Sequence, residues 1–370
     1  MSIRYTHWGQ IALNVSSSLE DALPRPQGIF IHDQKIYWAE NGTNYPGEIY
    51  DTRSLDGAIK RSDMDGSNVE TIKTGLYAVT GIDIGLNPST AAEGPAGEEI
   101  LYYAQWNGGP DCGEFYGEVG WVTLNGSDSG YLIRGCNDAG AYMDDPITVH
   151  YVKKSDSLPE AATPGIIYTE NGTDTAGIQG LWYRCLTASV LTEPTQIWND
   201  SDTSYPGGGS YDSTTNKIYW VTLGTTAGFP IFEDGMIRRG TLDLVNGTVT
   251  DIEILIDNLK YPTAFSLDPI KQEMYWSEGP FSITGSAPNY YSCGLENKNI
   301  WYAPMDGTGS VAAKLFTGSL NMPIGSFIST TRRLYWSDGC DGTLKSLPLS
   351  GSGYYDTTSS LGTTSLPNRI

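Results

Sequence analysis

The stretch Lys35-Ile36-Tyr37-Trp38-Ala39-Glu40 decides the fold, because its apolar-Tyr-aromatic pattern returns five more times. The copies are Ile100-Leu101-Tyr102-Tyr103-Ala104-Gln105, Ile166-Ile167-Tyr168-Thr169-Glu170, Lys217-Ile218-Tyr219-Trp220-Val221-Thr222, Glu273-Met274-Tyr275-Trp276-Ser277-Glu278 and Arg333-Leu334-Tyr335-Trp336-Ser337-Asp338. Their tyrosines are 65, 66, 51, 56 and 60 residues apart, somewhat more than the roughly 40 to 50 of a simple repeat, which places the surplus in loops. A short apolar run ending in a turn precedes the copies, as in Gly28-Ile29-Phe30-Ile31-His32-Asp33 and Gly325-Ser326-Phe327-Ile328. A third run follows and closes on Asp-Gly or Asn-Gly, as at Met64-Asp65-Gly66-Ser67, Leu124-Asn125-Gly126-Ser127 and Met305-Asp306-Gly307. Alternation ending on such dipeptides is a hairpin signature.

With a fourth strand such as Val69-Glu70-Thr71-Ile72-Lys73, each unit becomes a four-stranded antiparallel sheet that buries both faces only by stacking on its neighbours. Six units in a ring achieve this, so the expected fold is all-β, a six-bladed β-propeller of four-stranded blades. The segment Gln10-Ile11-Ala12-Leu13-Asn14 stands where an outer strand belongs, and the ring is expected to close by pairing it in the blade of Tyr335. Residues 1–370 then form a single domain, with 351–370, rich in Gly, Ser, Thr and Tyr, as a tail over the last blade.

The Tyr-Trp-x-Asp/Glu strand followed by Ile-x-Arg-x-x-(Leu/Met)-Asp-Gly-Ser resembles the YWTD propeller of low-density-lipoprotein-receptor-type proteins over nearly the whole chain. The resemblance implies that the aromatic pair wedges between blades and that the acidic residue ties strands together. The chain departs from the pattern at the fourth position, which reads Glu40, Gln105, Glu170, Thr222, Glu278 and Asp338, and in a third copy without Trp. No EGF-like cysteine modules flank the repeats.

Composition supports the β reading: 44 Gly, 20 Pro, 24 Tyr and 10 Trp with 18% charged residues suit turns and strands and exclude helix bundles and coiled coils. Forty-three acids against 22 Lys and Arg give a net charge of −21, which repels phosphate backbones and anionic lipid, so neither nucleic acid nor membrane is an expected partner. No apolar run approaches the roughly 20 residues that cross a bilayer. Sequons at Asn14, Asn41, Asn125, Asn171, Asn199 and Asn246 fit a secretory chain with its signal removed, whereas reduced cysteines would fit the cytoplasm, and compartment stays open. No cysteine pair has zinc or thioredoxin spacing.

The turns joining strands 1 and 2 are mostly short, whereas four of the 2-3 loops run to a dozen residues or more, which puts a binding site on the face of the 2-3 and 4-1 loops. Tyr50, Trp106, Tyr116, Phe232, Phe281 and Tyr291 in the long loops are the expected substrate contacts, with Tyr77, Tyr142, Tyr205, Tyr261 and Met322 in the 4-1 loops. Together they describe an aromatic funnel for a small apolar or aromatic substrate. If oxidised, Cys112 with Cys136 and Cys293 with Cys340 would staple its rim, leaving Cys185 on a third strand as a core residue. Arg25, Arg53, Arg238, Arg239 and Lys260 are the cations near the funnel.

No cofactor motif appears, and the three histidines His7, His32 and His150 are too dispersed for a metal centre on this face. Asp138, Asp144 and Asp145 read either as a calcium loop or as a solvated acidic turn. Glu40, Glu170 and Glu278 read mainly as hydrogen-bond acceptors within the ring. Three functions fit a propeller: an enzyme that positions its substrates, a lectin, and a protein-binding module. The unequal loops favour one asymmetric pocket. As a stand-alone ring with aromatic loops, the chain is similar to the fungal β-propeller hetero-Diels-Alderases of tropolone sesquiterpenoid biosynthesis. That resemblance implies a cofactor-free cyclase joining a tropolone quinone methide to a macrocyclic terpene such as humulene, and it assigns no catalytic residue.

Overall fold

A computed structural model describes residues 26–40, 56–87, 97–105, 117–134, 146–153, 164–170, 180–186, 194–199, 204–225, 234–278, 299–308, 313–316, 323–329, 332–338, 343–349 and 359–360. All regular elements among them are strands. Blade 1 is β1 (Pro26–His32), β2 (Lys35–Glu40), β3 (Gly57–Asp63) and β4 (Glu70–Leu76); blade 2 is β5 (Val79–Leu86), β6 (Glu99–Gln105), β7 (Glu118–Thr123) and β8 (Ser129–Arg134). Blade 3 is β9 (Pro146–Val152), β10 (Gly165–Glu170), β11 (Gly180–Cys185) and β12 (Thr195–Trp198); blade 4 is β13 (Ser204–Asp212), β14 (Lys217–Thr225), β15 (Gly235–Asp243) and β16 (Thr248–Leu259). Blade 5 is β17 (Phe265–Asp268), β18 (Glu273–Glu278), β19 (Asn299–Pro304) and β20 (Ala313–Phe316); blade 6 is β21 (Pro323–Ile328), β22 (Arg333–Asp338), β23 (Thr343–Pro348) and β24 (Ser359–Ser360). Each sheet runs in chain order and is antiparallel throughout. The innermost strands β1, β5, β9, β13, β17 and β21 touch in sequence, and β21 touches β1. The chain is a closed six-bladed β-propeller.

The aromatic pair explains the stacking. Successive residues of a strand point to opposite faces, so the two rings serve two different interfaces. Tyr37 packs toward blade 2 with Ile82, Leu101 and Tyr103, while Trp38 packs toward blade 6 with Tyr335 and Leu344. Tyr219 and Trp220, and Tyr275 and Trp276, divide in the same way. The third copy is shifted by one residue from the phase its tyrosine suggests. Ile167 faces blade 4 and Tyr168 faces blade 2, so Tyr168 holds the Trp position and Ile167 the Tyr position. Thr169 then matches Ser277 and Ser337, and all three hydroxyls accept an innermost-strand N–H, from Thr148 (3.1 Å), Ala264 (3.0 Å) and Gly325 (3.0 Å).

The Ile-x-Arg and Met/Leu-Asp/Asn-Gly motifs meet across blade boundaries. Arg61 donates twice to Glu70 (2.8 and 2.6 Å) and reaches the carbonyl of Leu124 in blade 2 at 2.7 Å. Arg239 repeats this with Glu253 (2.7 and 2.5 Å) and the Met305 carbonyl of blade 5 (2.7 Å). The accepting residues directly precede the Asn125-Gly126 and Asp306-Gly307 turns, whose glycines take the positive φ that such turns require (73° and 70°). In these turns Asn125 accepts the Ser127 N–H and Asp306 the Thr308 N–H, each at 2.9 Å, as Asp65 does from Ser67.

Closure differs from the sequence expectation. The neighbour of β23 is β24, Ser359–Ser360, paired through Lys345 and Ser346, and not the segment at residues 10–14, which lies outside the described residues. Each blade completes itself with the chain that follows its third strand, so blade 6 draws on the C-terminal segment. The ring is sealed instead at the hub, where the Ser337 hydroxyl donates to the Gln27 carbonyl and Phe30 meets Phe327 at 4.5 Å between centroids.

Candidate functional site

All six expected substrate contacts, Tyr50, Trp106, Tyr116, Phe232, Phe281 and Tyr291, lie outside the described residues, as do Cys112, Cys136, Cys293 and Cys340, the acids Asp138, Asp144 and Asp145, and the cations Arg25 and Arg53. The described part of that face is its floor, formed where the second strands end and the third begin. Of the 4-1 residues, Tyr77 is buried and Tyr261 half-buried. Cys185 is half-buried against the blade 3 and 4 cluster.

The floor is polar and buried, and its make-up varies around the ring, although Lys345 stands opposite Trp336 in blade 6 as Lys60 does opposite Trp38 in blade 1. In blade 1 the Trp38 indole donates to Glu40 Oε1 at 2.9 Å, and Lys60 Nζ lies 2.7 Å from Oε2; the carboxylate is 2% exposed. Trp38 and Lys60 are cross-strand partners and Glu40 is two residues on from the indole, so all three share one face. Blade 2 moves the carboxylate to the third strand. Glu118 accepts from Tyr103 OH (3.1 Å) and Arg134 Nε (2.7 Å), while Gln105 Oε1 accepts the Tyr77 N–H (3.2 Å). Burial, then the negative charge of Glu118, pushes the Tyr103 phenol well above its ordinary value. In blade 3 Glu170 is fully buried opposite Gly180. In blade 5 the Trp276 indole donates to Glu278 (2.9 Å), and burial raises the Glu278 carboxyl despite the opposing Trp276 bond and Lys260.

Blade 4 carries Thr222 where the others carry Glu or Gln. Thr222 and Trp220 are each 0% exposed. Opposite Trp220 stands Arg238, whose guanidinium lies 3.4 Å from the Met236 sulfur and 5.0 Å above the Trp198 ring. Of the cations expected near the funnel, Arg238 and Lys260 belong to this floor, whereas Arg239 is spent on the contact between blades 4 and 5.

The short-turn face binds blades together. His32 Nε2 is 2.9 Å from Glu99 of blade 2; Asp83 accepts the Tyr151 N–H of blade 3 at 2.8 Å; Arg332 reaches back to Asp268 of blade 5 at 2.8 Å. His32, Asp33 and Glu99 place ligand atoms within 4.8 Å of one another and are the one such group among the described residues. They lie opposite the long loops and are partly to fully exposed. Sequence reasoning missed Glu99 because it joins His32 only through the stacking of adjacent blades, 67 residues apart.

Comparison with known proteins gives the fold and no more. No family model and no curated protein matches the chain. Among solved structures it is similar to a gluconolactonase from Xanthomonas campestris, at 12% identity and a TM-score of 0.54 over 90% of this chain and 88% of that one. It is also similar to an α-L-arabinofuranosidase from Fusarium graminearum, solved as a point mutant in complex with an iminosugar inhibitor, at 10% identity and a TM-score of 0.54, covering 95% and 96%.

Proposed function

We propose that the long-loop face holds one asymmetric pocket for a small aromatic or apolar substrate, and that the chain is a cofactor-independent pericyclic cyclase, a hetero-Diels-Alderase that joins a tropolone quinone methide to a macrocyclic terpene. The observation that carries the single-pocket part is the uneven floor: blades 1 and 5 share a Trp-Glu bond and blades 1 and 6 a Trp-Lys cross-strand pair, whereas blade 2 carries Glu-Arg-Tyr and blade 4 Thr-Arg-Trp. A lectin with a sugar site at each junction calls for the same set in every blade. The finer part rests on the sequence resemblance and on chemical balance. A hydroxymethyl tropolone loses water to give the quinone methide, whose oxygen and exocyclic carbon add across one alkene; no electrons are gained or lost. Holding two such reactants together supplies up to about 7 to 11 kcal/mol in favourable cases, so positioning can carry the reaction.

The test incubates the protein with a hydroxymethyl tropolone and humulene, beside a buffer control, a Trp106→Ala variant and a glycan array. Faster, stereoselective adduct formation, weakened by the variant, is the expected result. Adduct no faster or more selective than in buffer, with glycans bound, would overturn it.

A further inference from the structure

The fourth blade lacks the indole acceptor that blades 1 and 5 provide. In blade 1 the floor set is complete, with indole N–H, cation and carboxylate all paired. The corresponding positions of blade 4 hold an indole, Trp220, and a cation, Arg238, but Thr222 in place of the carboxylate. Trp220 Nε1 and Thr222 Oγ1 are both buried and have no hydrogen-bond partner among the described residues. The indole Nε1 atoms of Trp121, Trp301 and Trp336 have no hydrogen-bond partner either, but unpaired buried polar groups are costly, and only here does an unpaired hydroxyl stand two residues from the indole among the described residues.

The three groups converge. Trp220 pairs with Arg238 and Thr222 with Met236 in the β14–β15 register, which puts all four side chains on one face of the sheet. The Arg238 guanidinium lies beside the Met236 sulfur, so its head is drawn toward the position opposite Thr222. The Trp198 ring, 5.4 Å from Trp220 between centroids, forms the wall contributed by blade 3. The niche thus combines a neutral N–H, a hydroxyl and a guanidinium against flat aromatic surfaces, and it sits on the long-loop side where β14 leads toward residues 226–233.

We infer that this niche binds the anionic oxygen of a small planar organic acid, either a carboxylate or a vinylogous acid such as a tropolone, in the place that Glu40 fills in blade 1. The assignment rests on the long-loop face being the ligand face, and it does not depend on the cycloaddition. Charge-assisted bonds such as those from the guanidinium are the strong class, and the indole N–H and hydroxyl add neutral donors.

Calorimetric titration of the full chain with four probes tests it: tropolone, its neutral relative 2-methoxytropone, benzoate and benzyl alcohol. At a pH where the acids are ionised, at least one acid should bind roughly ten-fold or more tighter than its neutral partner, the effect of a hydrogen bond to a charged group. Thr222→Val should weaken that acid several-fold, leave the neutral partner unchanged and cost no thermal stability, because the hydroxyl it removes has no partner. Thr222→Glu places the chain's own carboxylate in the niche and should abolish acid binding while raising Tm. Equal binding of acids and neutral partners, or acid binding unaffected by Thr222→Val, would overturn the assignment. Benzoate binding without tropolone binding would keep the niche and identify its ligand as a carboxylate, removing the tropolone reading of the pocket. Acid binding with no adduct formation in the cyclase assay would keep the niche and defeat the cyclase alone.

Discussion

Replacing Glu40 with Gln isolates the charge of the blade 1 floor from its shape. The amide keeps an oxygen for the Trp38 N–H, so the 2.9 Å bond survives, while Lys60 loses the counter-charge 2.7 Å away. Removing one partner of a buried pair costs about 3 to 5 kcal/mol because the other charge is left uncompensated. The Lys60 side chain is 19% exposed against 2% for Glu40, and a long amine can lift its head toward water, which brings the expected loss below that range, to about 2 to 3 kcal/mol. Adding Lys60→Met removes the stranded charge and should recover most of it. Glu40→Ala should lose about 1 to 3 kcal/mol more than Glu40→Gln, the cost of an unpaired buried donor at Trp38. Denaturant unfolding followed by circular dichroism at low and high salt measures all four proteins, and the loss should persist at high salt because a buried pair is poorly screened. A Glu40→Gln variant within about 0.5 kcal/mol of the parent would refute a structural role for this carboxylate, since that is the scale of neutral surface changes.

Three further outcomes follow from the geometry. Gly81→Ala builds a Cβ 2.9 Å from the Thr148 Cα and 3.1 Å from the Ile147 carbonyl, all backbone of the next innermost strand, and should cost about 1 to 3 kcal/mol in the same unfolding assay; Gly75→Ala, with φ +71° but open space around it, should cost only about 1 kcal/mol. Arg239→Met should lose about 1.5 to 3 kcal/mol through the Met305 carbonyl, whereas Glu253→Gln, removing a partner 47% exposed, should lose less than about 1 kcal/mol; equal losses would show that the ion pair and not the tie between blades carries the contact. The Asp65 and Asp306 carboxyls are held below their ordinary 3.8 by bonds from Ser67 and Thr308, so their stabilisation is present above that value and fades as pH falls through the lower folded-state value, while the raised Glu278 carboxyl favours the fold below 4.5 and loses that contribution as pH rises through its higher folded-state value. Melting temperature against pH should show a shallower acid decline in Asp65→Asn with Asp306→Asn, and a Glu278→Gln advantage that grows above pH 4.5.

The ring was legible in the sequence because each interface needs one large ring from each side, and adjacent residues on a strand supply both. The same logic explains the misphased third copy. With a single aromatic, Tyr168, the pattern does not say which face the ring serves, and only the packing of Ile167 on blade 4 and Tyr168 on blade 2 decides it. The closing strand was misplaced because a two-residue outer strand such as Ser359–Ser360 needs no alternation of apolar residues and leaves no periodic trace. At the site, Glu40 and Glu278 were legible as strand-end acceptors, but Lys60, Glu118 and Arg134 were not, since their roles arise from cross-strand register. Arg238 could be named as a cation near the funnel. Its pairing with a buried indole that lacks an acceptor needed the structure.

The two ends of the blades are built on different rules, and this is what lets one end vary. Outside the hub, several arginines of the short-turn half reach across blade boundaries: Arg61 to Leu124, Arg239 to Met305, Arg184 to the Leu132 carbonyl, Arg332 to Asp268. A change in one of those residues disturbs two blades, so the half is constrained to repeat. The bonds of the long-loop floor stay inside a blade, as in Trp38 with Glu40 and Lys60, Tyr103 with Glu118 and Arg134, and Trp276 with Glu278. The polar partners in each set can change while the rings of Trp38, Tyr103 and Trp276 go on packing between blades, and the arginine ties of the other half do not depend on them. An asymmetric ligand site on a six-fold scaffold requires that independence. Trp220 and Thr222 show the result in blade 4, where the floor has given up an internal acceptor that blades 1 and 5 retain.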